Sequence, residues 1–306
     1  MKKVAISIGD LNGIGVEIAL KAHSKIKQEI EPIYIISQTM LKEACKLLGV
    51  EIPSDFKTIN PDADDFKIKP GKVSKKSGKY SFESFKKAIE LAKTKEVEAI
   101  LTLPINKEAW DKADIKYKGH TDYLREYFKQ DAIMMLGCSK MFVALYTEHI
   151  PLKDVAKRVK TKPFKKFLLD LNASLHMDEK IAVLGLNPHA GDNGVLGDEE
   201  KFINRAIDKA NKEIGFEQFI GAVVPDIAFT PNFRKNYRYF VAIYHDQGLA
   251  PLKALYFDES INVSLNLPIL RVSVDHGTAF DIAYKSAKIN LDSYLNCIEY
   301  IKSKTR

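Results

Sequence analysis

The chain has 306 residues, 45% of them hydrophobic and 28% charged, which is enough apolar material for one large or two ordinary domains and excludes a disordered chain. Its net charge of +7 comes from lysines interspersed with acidic residues, as around Phe85-Lys86-Lys87-Ala88 and Lys157-Arg158-Val159-Lys160. That pattern is a solvated surface rather than a nucleic-acid footprint, although a modest positive field suits an anionic metabolite. No apolar run is long enough to cross a bilayer, the N-terminus turns into strand and loop before a signal-like core forms, and Cys45, Cys138 and Cys297 are too scattered for a disulfide framework, so the expectation is a cytoplasmic protein with neither nucleic-acid nor membrane partners.

Strands and helices alternate along the chain. Val4 to Ile8 predicts a strand, followed by a glycine-bearing turn and a helix from near Val16. Ile33 to Ile36 is a second strand and Met40 to Leu48 a helix, after which Asp55 to Lys79 dissolves into Pro, Asp, Lys and Gly and predicts irregular structure or an edge hairpin. A helix over Ser81 to Thr94 precedes the strand Ala99 to Thr102. Further strands are expected at Phe142 to Thr147, Lys180 to Leu186, Arg238 to Tyr244 and Ile269 to Val274, with helices at Pro163 to Leu175, Glu199 to Glu213 and Ala279 to Ser286. Such alternation predicts a mostly parallel sheet covered by helices.

Chemistry-bearing residues gather where the strands end. Gly9-Asp10-Leu11-Asn12-Gly13-Ile14-Gly15 lies between strand and helix as a dinucleotide loop would, but its glycine spacing departs from G-x-G-x-x-G and Asp10 and Glu17 would put negative charge where a pyrophosphate must lie, so a plain tight turn is the better reading. Thr121 in Gly119-His120-Thr121 fits a helix N-cap, and the same helix start is a natural anion site to which His120 adds a donor. His149, His189 and His245 each follow a strand. Their spacing matches no local zinc motif, yet the repeated placement beyond a strand points to a shared ion, and three neutral imidazoles would leave it its full charge and vacant positions for substrate; the bland alternative for His245 is that it merely caps a loop. Lys253, Asn262 and Arg271 offer the planar and point charges that a phosphate or carboxylate needs, unless they pair with surface carboxylates. His276-Gly277-Thr278-Ala279 is expected to open a helix whose amides could hold a dinucleotide.

Taken in order, Gly9-Asp10 with Gly13-Ile14-Gly15 and Glu17, Gly119-His120-Thr121, Asn187-Pro188-His189-Ala190-Gly191 with Gly197 and Glu199-Glu200, Tyr244-His245-Asp246-Gln247-Gly248, and Asp275-His276-Gly277-Thr278-Ala279 with Asp281-Ile282-Ala283 resemble the 4-hydroxythreonine-4-phosphate dehydrogenases of pyridoxal phosphate biosynthesis across nearly the whole chain. The segment 276–279 is also similar to the cofactor loop of β-decarboxylating dehydrogenases such as isopropylmalate dehydrogenase. The resemblance implies a two-domain α/β fold of the isocitrate/isopropylmalate dehydrogenase kind, with mostly parallel sheets, flanking helices and an active site in the inter-domain cleft. Residues 1–306 would form one catalytic chain of two interwoven subdomains, working as a homodimer with shared active sites.

The same resemblance implies His149, His189 and His245 as ligands of a divalent metal (zinc, cobalt or magnesium), and His120, Thr121, Lys253, Asn262 and Arg271 as contacts to a phosphorylated substrate. Asp275, His276, Gly277, Thr278 and Asp281 would face NAD or NADP, and Asp246 is the candidate to take the substrate proton, with a water or Lys253 as the alternatives. The implied reaction is oxidation of the C3 hydroxyl of 4-phosphooxy-L-threonine to a β-keto acid that decarboxylates to 3-amino-2-oxopropyl phosphate. A dehydrogenase of another phosphorylated hydroxy acid, erythronate- or threonate-like, is the alternative, and a non-enzymatic sensor would be expected to have lost a ligand. The chain departs from the family pattern at Leu11-Asn12, at Asn266 and at Tyr284, the last two standing where a glycine is usual.

Overall fold

The computed structural model describes residues 1–304. Its strands, in chain order, are β1 (Lys2–Ser7), β2 (Ile30–Ile35), β3 (Thr58–Ile59), β4 (Ala99–Thr102), β5 (Ile133–Cys138), β6 (Met141–Leu145), β7 (Ile181–Leu184), β8 (Phe219–Val223), β9 (Tyr239–Ala242), β10 (Ile261–Leu265) and β11 (Leu270–Val274). The class is α/β and mostly parallel, as the alternation predicts. Two compact units are built from them. The first comprises residues 1–130, 261–263 and the chain from Leu267 onward; the second comprises 131–260 and 264–266, so the chain changes unit within β10.

In the first unit the strand order is β3-β2-β1-β4-β11, with every pair parallel. Parallel strands covered on both faces must be apolar throughout, and all four residues of β4 are buried. The helix Lys75–Lys93 supplies Phe85, Ala88 and Ile89 to a core that also holds Ile35, Ile100, Trp110 and Leu124. This helix starts well before the expected Ser81. Gly78 sets its seat, because a Cβ there would lie 2.0 Å from the Ala109 carbonyl oxygen. The Ser74 hydroxyl accepts the Ser77 amide as N-cap. The stretch expected to be irregular is so up to Ser74 apart from the two residues of β3, and helix replaces its last five residues. A helix over Ala279 to Ser286 does not form; the segment is a series of turns with left-handed backbone at Ala279, Tyr284 and Ser286, which no right-handed helix accommodates. The chain adds a helix at Asp292–Lys304 that the motif-centred reading passes over.

The second unit orders its strands β5-β6-β9-β7-β8. β5 and β6 form its antiparallel hairpin, while β6, β9, β7 and β8 run parallel in turn. Met134, Leu136, Val143, Leu145, Leu184, Phe240, Leu249 and Leu252 share one core. All three cysteines are free and buried, as expected of small apolar residues. Among the described residues no helix is long and apolar enough to cross a membrane.

Candidate functional site

In the first unit an arginine is buried on a strand. Arg271 is 2% exposed on β11, and its Nε and Nη2 donate to the Thr102 hydroxyl at the end of β4, at 3.1 and 2.7 Å. Nη2 also lies 3.2 Å from Nδ1 of His120. His120 is the first residue of the helix His120–Phe128, with its ring against Phe85 and Trp110. Burial holds its pKa well below the ordinary value, and the adjacent guanidinium adds to the effect, so the ring is neutral. Burial likewise lowers the Arg271 pKa to about 10, which leaves it cationic.

These assignments fix the tautomer of His120. A guanidinium can only donate, so Nδ1 accepts and the proton sits on Nε2. That Nε2 is buried without a partner among the described residues, as is Oδ1 of Asn262. A buried N–H without an acceptor is costly unless a ligand oxygen supplies one. The helix start agrees with an anion there, since Gly119 has no side chain to cap the first turn and the helix dipole favours negative charge. Thr121 is not the N-cap that its sequence context suggests: it is the second residue of the helix. Thr102 was not singled out from sequence, although a polar residue closing the apolar strand Ala99-Ile100-Leu101 was the available signal.

The turn at Gly9 to Gly15 does not cradle a phosphate. Four of its amides are engaged within the protein: Asp10 donates to the Pro104 carbonyl, Asn12 to the Asp10 carboxylate, Gly13 to the Asp10 carbonyl and Ile14 to the Thr278 carbonyl. It is a tight turn that buttresses the segment 275–284. Tyr284 completes the brace by donating from its hydroxyl to the Leu11 carbonyl at 2.7 Å, and Asn12 accepts the Lys69 amide and donates to the Lys72 carbonyl. The departures at positions 11, 12 and 284 therefore meet in one contact set. Asn266 adopts a left-handed φ of 58° that asparagine tolerates, and its side chain donates to the Asp131 carbonyl. Within the expected cofactor segment the Asp275 amide donates to the Ser293 hydroxyl, Gly277 is exposed with open space where a Cβ would stand, and Asp281 is exposed.

Asp10 gives this brace a pH dependence. The carboxylate is buried and receives the Asn12 amide and the Ser77 hydroxyl, yet desolvation dominates and raises its pKa to about 6. Because the folded-state value lies above the unfolded one, this group's stabilisation is fully present below about pH 4 and is lost as pH rises through 6, amounting to about 3 kcal/mol. Asp10→Asn should remove that slope. Thermal melts of both proteins between pH 4 and 7 are expected to show the wild type losing about 4 °C relative to the variant; parallel profiles would refute the assignment.

The second unit holds the three candidate metal ligands. His149 follows β6 by way of Thr147, whose amide and hydroxyl both donate to the Ile243 carbonyl, at 3.1 and 2.6 Å. His245 opens the helix His245–Tyr256, a helix that Gly248 and Pro251 hide from a propensity reading. Gly248 lets this helix settle on the sheet: a Cβ there would stand 2.5 Å from Cγ1 of Val143 and 2.8 Å from Cβ of Ala242. Gly248→Ala should lift the helix that carries His245 and cost about 1–3 kcal/mol, read as a lower thermal midpoint; an unchanged midpoint would contradict this seating.

The His149 and His245 ring centres are 5.5 Å apart. Two imidazoles on one tetrahedral cation, with nitrogens about 2 Å from it, place their ring centres roughly 5 Å apart, so this pair fits a shared ion. Nδ1 of His245 lies 2.7 Å from a carboxylate oxygen of Asp246, which leaves Nε2 for a ligand bond in the carboxylate–histidine arrangement common at metal centres. Lys253 lies on the same helix, seven residues from Asp246, with its ammonium 5.3 Å from the Phe257 ring centre. His189 sits in a loop where residues 189–193 all have left-handed backbone. Among the described residues no three His, Cys, Asp or Glu side chains cluster closely enough to hold an ion, so the structure gathers two of the three expected imidazoles and not His189.

Residues 28–301 match the family described as pyridoxal phosphate biosynthetic protein PdxA. The chain is 61% identical over 297 residues to a 4-hydroxythreonine-4-phosphate dehydrogenase of Sulfurimonas denitrificans, a match covering 97% of this chain and 96% of that protein. It is 54% identical over 301 residues to the enzyme of the same name from Campylobacter fetus, covering 98% and 97% of the two. Among solved structures, a 4-hydroxythreonine-4-phosphate dehydrogenase from Klebsiella pneumoniae superposes with a TM-score of 0.85 at 31% identity, covering 100% of both chains.

Proposed function

Because the chain belongs to the pyridoxal phosphate biosynthetic protein PdxA family, we propose that it oxidises the C3 hydroxyl of 4-phosphooxy-L-threonine with NAD or NADP. The hydroxyl carbon loses hydride to the nicotinamide and the hydroxyl oxygen loses a proton. The resulting β-keto acid loses CO₂ to give 3-amino-2-oxopropyl phosphate. The observation that carries the phosphate assignment is the buried Arg271 beside a neutral His120 whose buried Nε2–H lacks an acceptor among the described residues. These groups hold a phosphate oxygen without any proton having to move. Thr121, Lys253 and Asn262 are assigned as the other substrate contacts, the Asn262 Oδ1 supplying an acceptor for an N–H or O–H of the substrate.

His149, His189 and His245 are assigned as metal ligands, and the paired rings of His149 and His245 support that reading. When bound, a divalent ion supplies Lewis acidity that lowers a hydroxyl's pKa and stabilises the charge that decarboxylation develops, and the nicotinamide supplies the hydride acceptor. Asp246, with its side chain 85% exposed, is assigned as the proton acceptor, with Lys253 as the alternative. Asp275, His276, Gly277, Thr278 and Asp281 are assigned to the dinucleotide; the open backbone at Gly277 supports close approach of a ligand, and it needs no helix start there. A homodimer is part of the proposal, supported by the exposed apolar side chains of Leu152, Val195, Leu196 and Ile227 in the second unit.

Incubation with 4-phosphooxy-L-threonine and either dinucleotide should yield reduced cofactor and CO₂ in equal amounts, should stop on chelation and should resume on adding Zn²⁺, Co²⁺ or Mg²⁺. Turnover that survives complete chelation would defeat the metal assignment. Preference for a phosphorylated erythronate or threonate would replace the substrate and leave the rest standing.

A further inference from the structure

One side chain ties together the ends of β9 and β7, each of which leads into a candidate ligand. Gln247 lies in the first turn of the helix His245–Tyr256; its Oε1 accepts the Ile243 amide at 2.7 Å, and its Nε2 donates to the Gly185 carbonyl at 2.7 Å. Ile243 is fully buried and Gly185 is buried, so both backbone groups need a partner. The chain of contacts continues both ways. Towards His149, the Ile243 carbonyl receives the amide and hydroxyl of Thr147. Towards His189, the amides of Leu186 and Asn187 both donate to Oε1 of buried Glu200, at 2.8 and 2.7 Å. These contacts and the backbone between them link the three histidine-bearing segments, all within the second unit, and they branch at Gln247.

The chemistry demands an amide at this position. Glutamine presents an acceptor and a donor on one planar centre, whereas glutamate at neutral pH has no donor and methionine has neither. Helix capping explains half of the contact, since a first-turn Gln commonly reaches back to an amide preceding the helix. It does not explain the other half, which crosses to a different strand.

We propose that Gln247 is a positioning residue for the metal centre, holding His245 in register with the loop that carries His189. The proposal deepens the ligand assignment above and rests on it. The test is a Co²⁺ titration of the full-length, chelator-stripped protein, comparing wild type with Gln247→Glu, Gln247→Met and His245→Ala by affinity and by the visible Co²⁺ spectrum. Both Gln247 variants are expected to bind about 10–100-fold more weakly with an altered spectrum, a readout that a purely structural role would leave unmoved in the folded fraction. Wild-type affinity and spectrum in folded Gln247 variants, alongside loss in His245→Ala, would overturn the proposal alone; retention in His245→Ala would overturn the ligand assignment and the proposal with it. If the variants fail to fold, hydrogen exchange on the wild type decides, because coupling is reciprocal. Exchange of the Ile243 amide should slow on Co²⁺ addition, and an unchanged rate would overturn the proposal.

Discussion

Arg271→Lys should lower kcat/KM for 4-phosphooxy-L-threonine by about a hundredfold or more, with Arg271→Met lower still, while turnover of the unphosphorylated analogue changes little. The guanidinium is aimed by two nitrogens on one Thr102 hydroxyl and by a third contact to His120, so its plane is set before substrate arrives. A lysine ammonium keeps the charge but has neither the plane nor the reach to satisfy Thr102 and His120 together. Each charge-assisted hydrogen bond contributes about 1.5–3 kcal/mol, and about 1.4 kcal/mol is tenfold in rate, so loss of one or two gives an effect of the stated size. The loss should appear mainly in KM, because the phosphate lies away from the bonds that change. An equal loss on phosphorylated and unphosphorylated substrates would mean that Arg271 serves the fold rather than the phosphate.

His245→Ala has the larger expected effect on the metal. If the assigned ligand set holds, removing this imidazole should weaken binding of Zn²⁺ or Co²⁺ by roughly a thousandfold and reduce turnover at least as much at fixed metal. His149→Ala should behave alike, given the 5.5 Å ring separation. Asp246→Asn keeps both rings and weakens only the support of His245 Nδ1, so its metal affinity should fall by about 10–100-fold, clearly less than in the histidine variants. Metal content measured after gel filtration separates these cases. A His245→Ala protein that retains metal as the wild type does would remove His245 from the ligand set.

The contrast between what could and could not be read from the residues has physical causes. β4 was legible to the residue because a buried parallel strand is an uninterrupted apolar run, and Ala99-Ile100-Leu101 ends on a polar threonine. The placement of His149, His189 and His245 beyond strand ends was legible for the same reason. The helix His245–Tyr256 was not, since Gly248 and Pro251 argue against a helix locally and only tight packing on Val143 and Ala242 explains the glycine. The expected helix at Ala279 fails through backbone handedness at Ala279 and Tyr284, and no side-chain pattern reports that. The contact of Arg271 with Thr102 joins residues far apart in sequence, and the tautomer of His120 follows only once that contact is known. The bracing of 275–284 against the first turn was invisible for the same reason: Leu11 and Tyr284 look unrelated until Tyr284 is seen donating to the Leu11 carbonyl.

In the proposed function, a buried, neutral histidine beside a buried arginine reads the phosphate for a dehydrogenation carried out elsewhere on the same substrate. The most direct test is the ratio of kcat/KM for 4-phosphooxy-L-threonine to that for 4-hydroxy-L-threonine, measured by reduced-dinucleotide formation with metal and cofactor saturating. The expected ratio is about a thousand or more, from two charge-assisted contacts that the second compound cannot make. A ratio near one would contradict it.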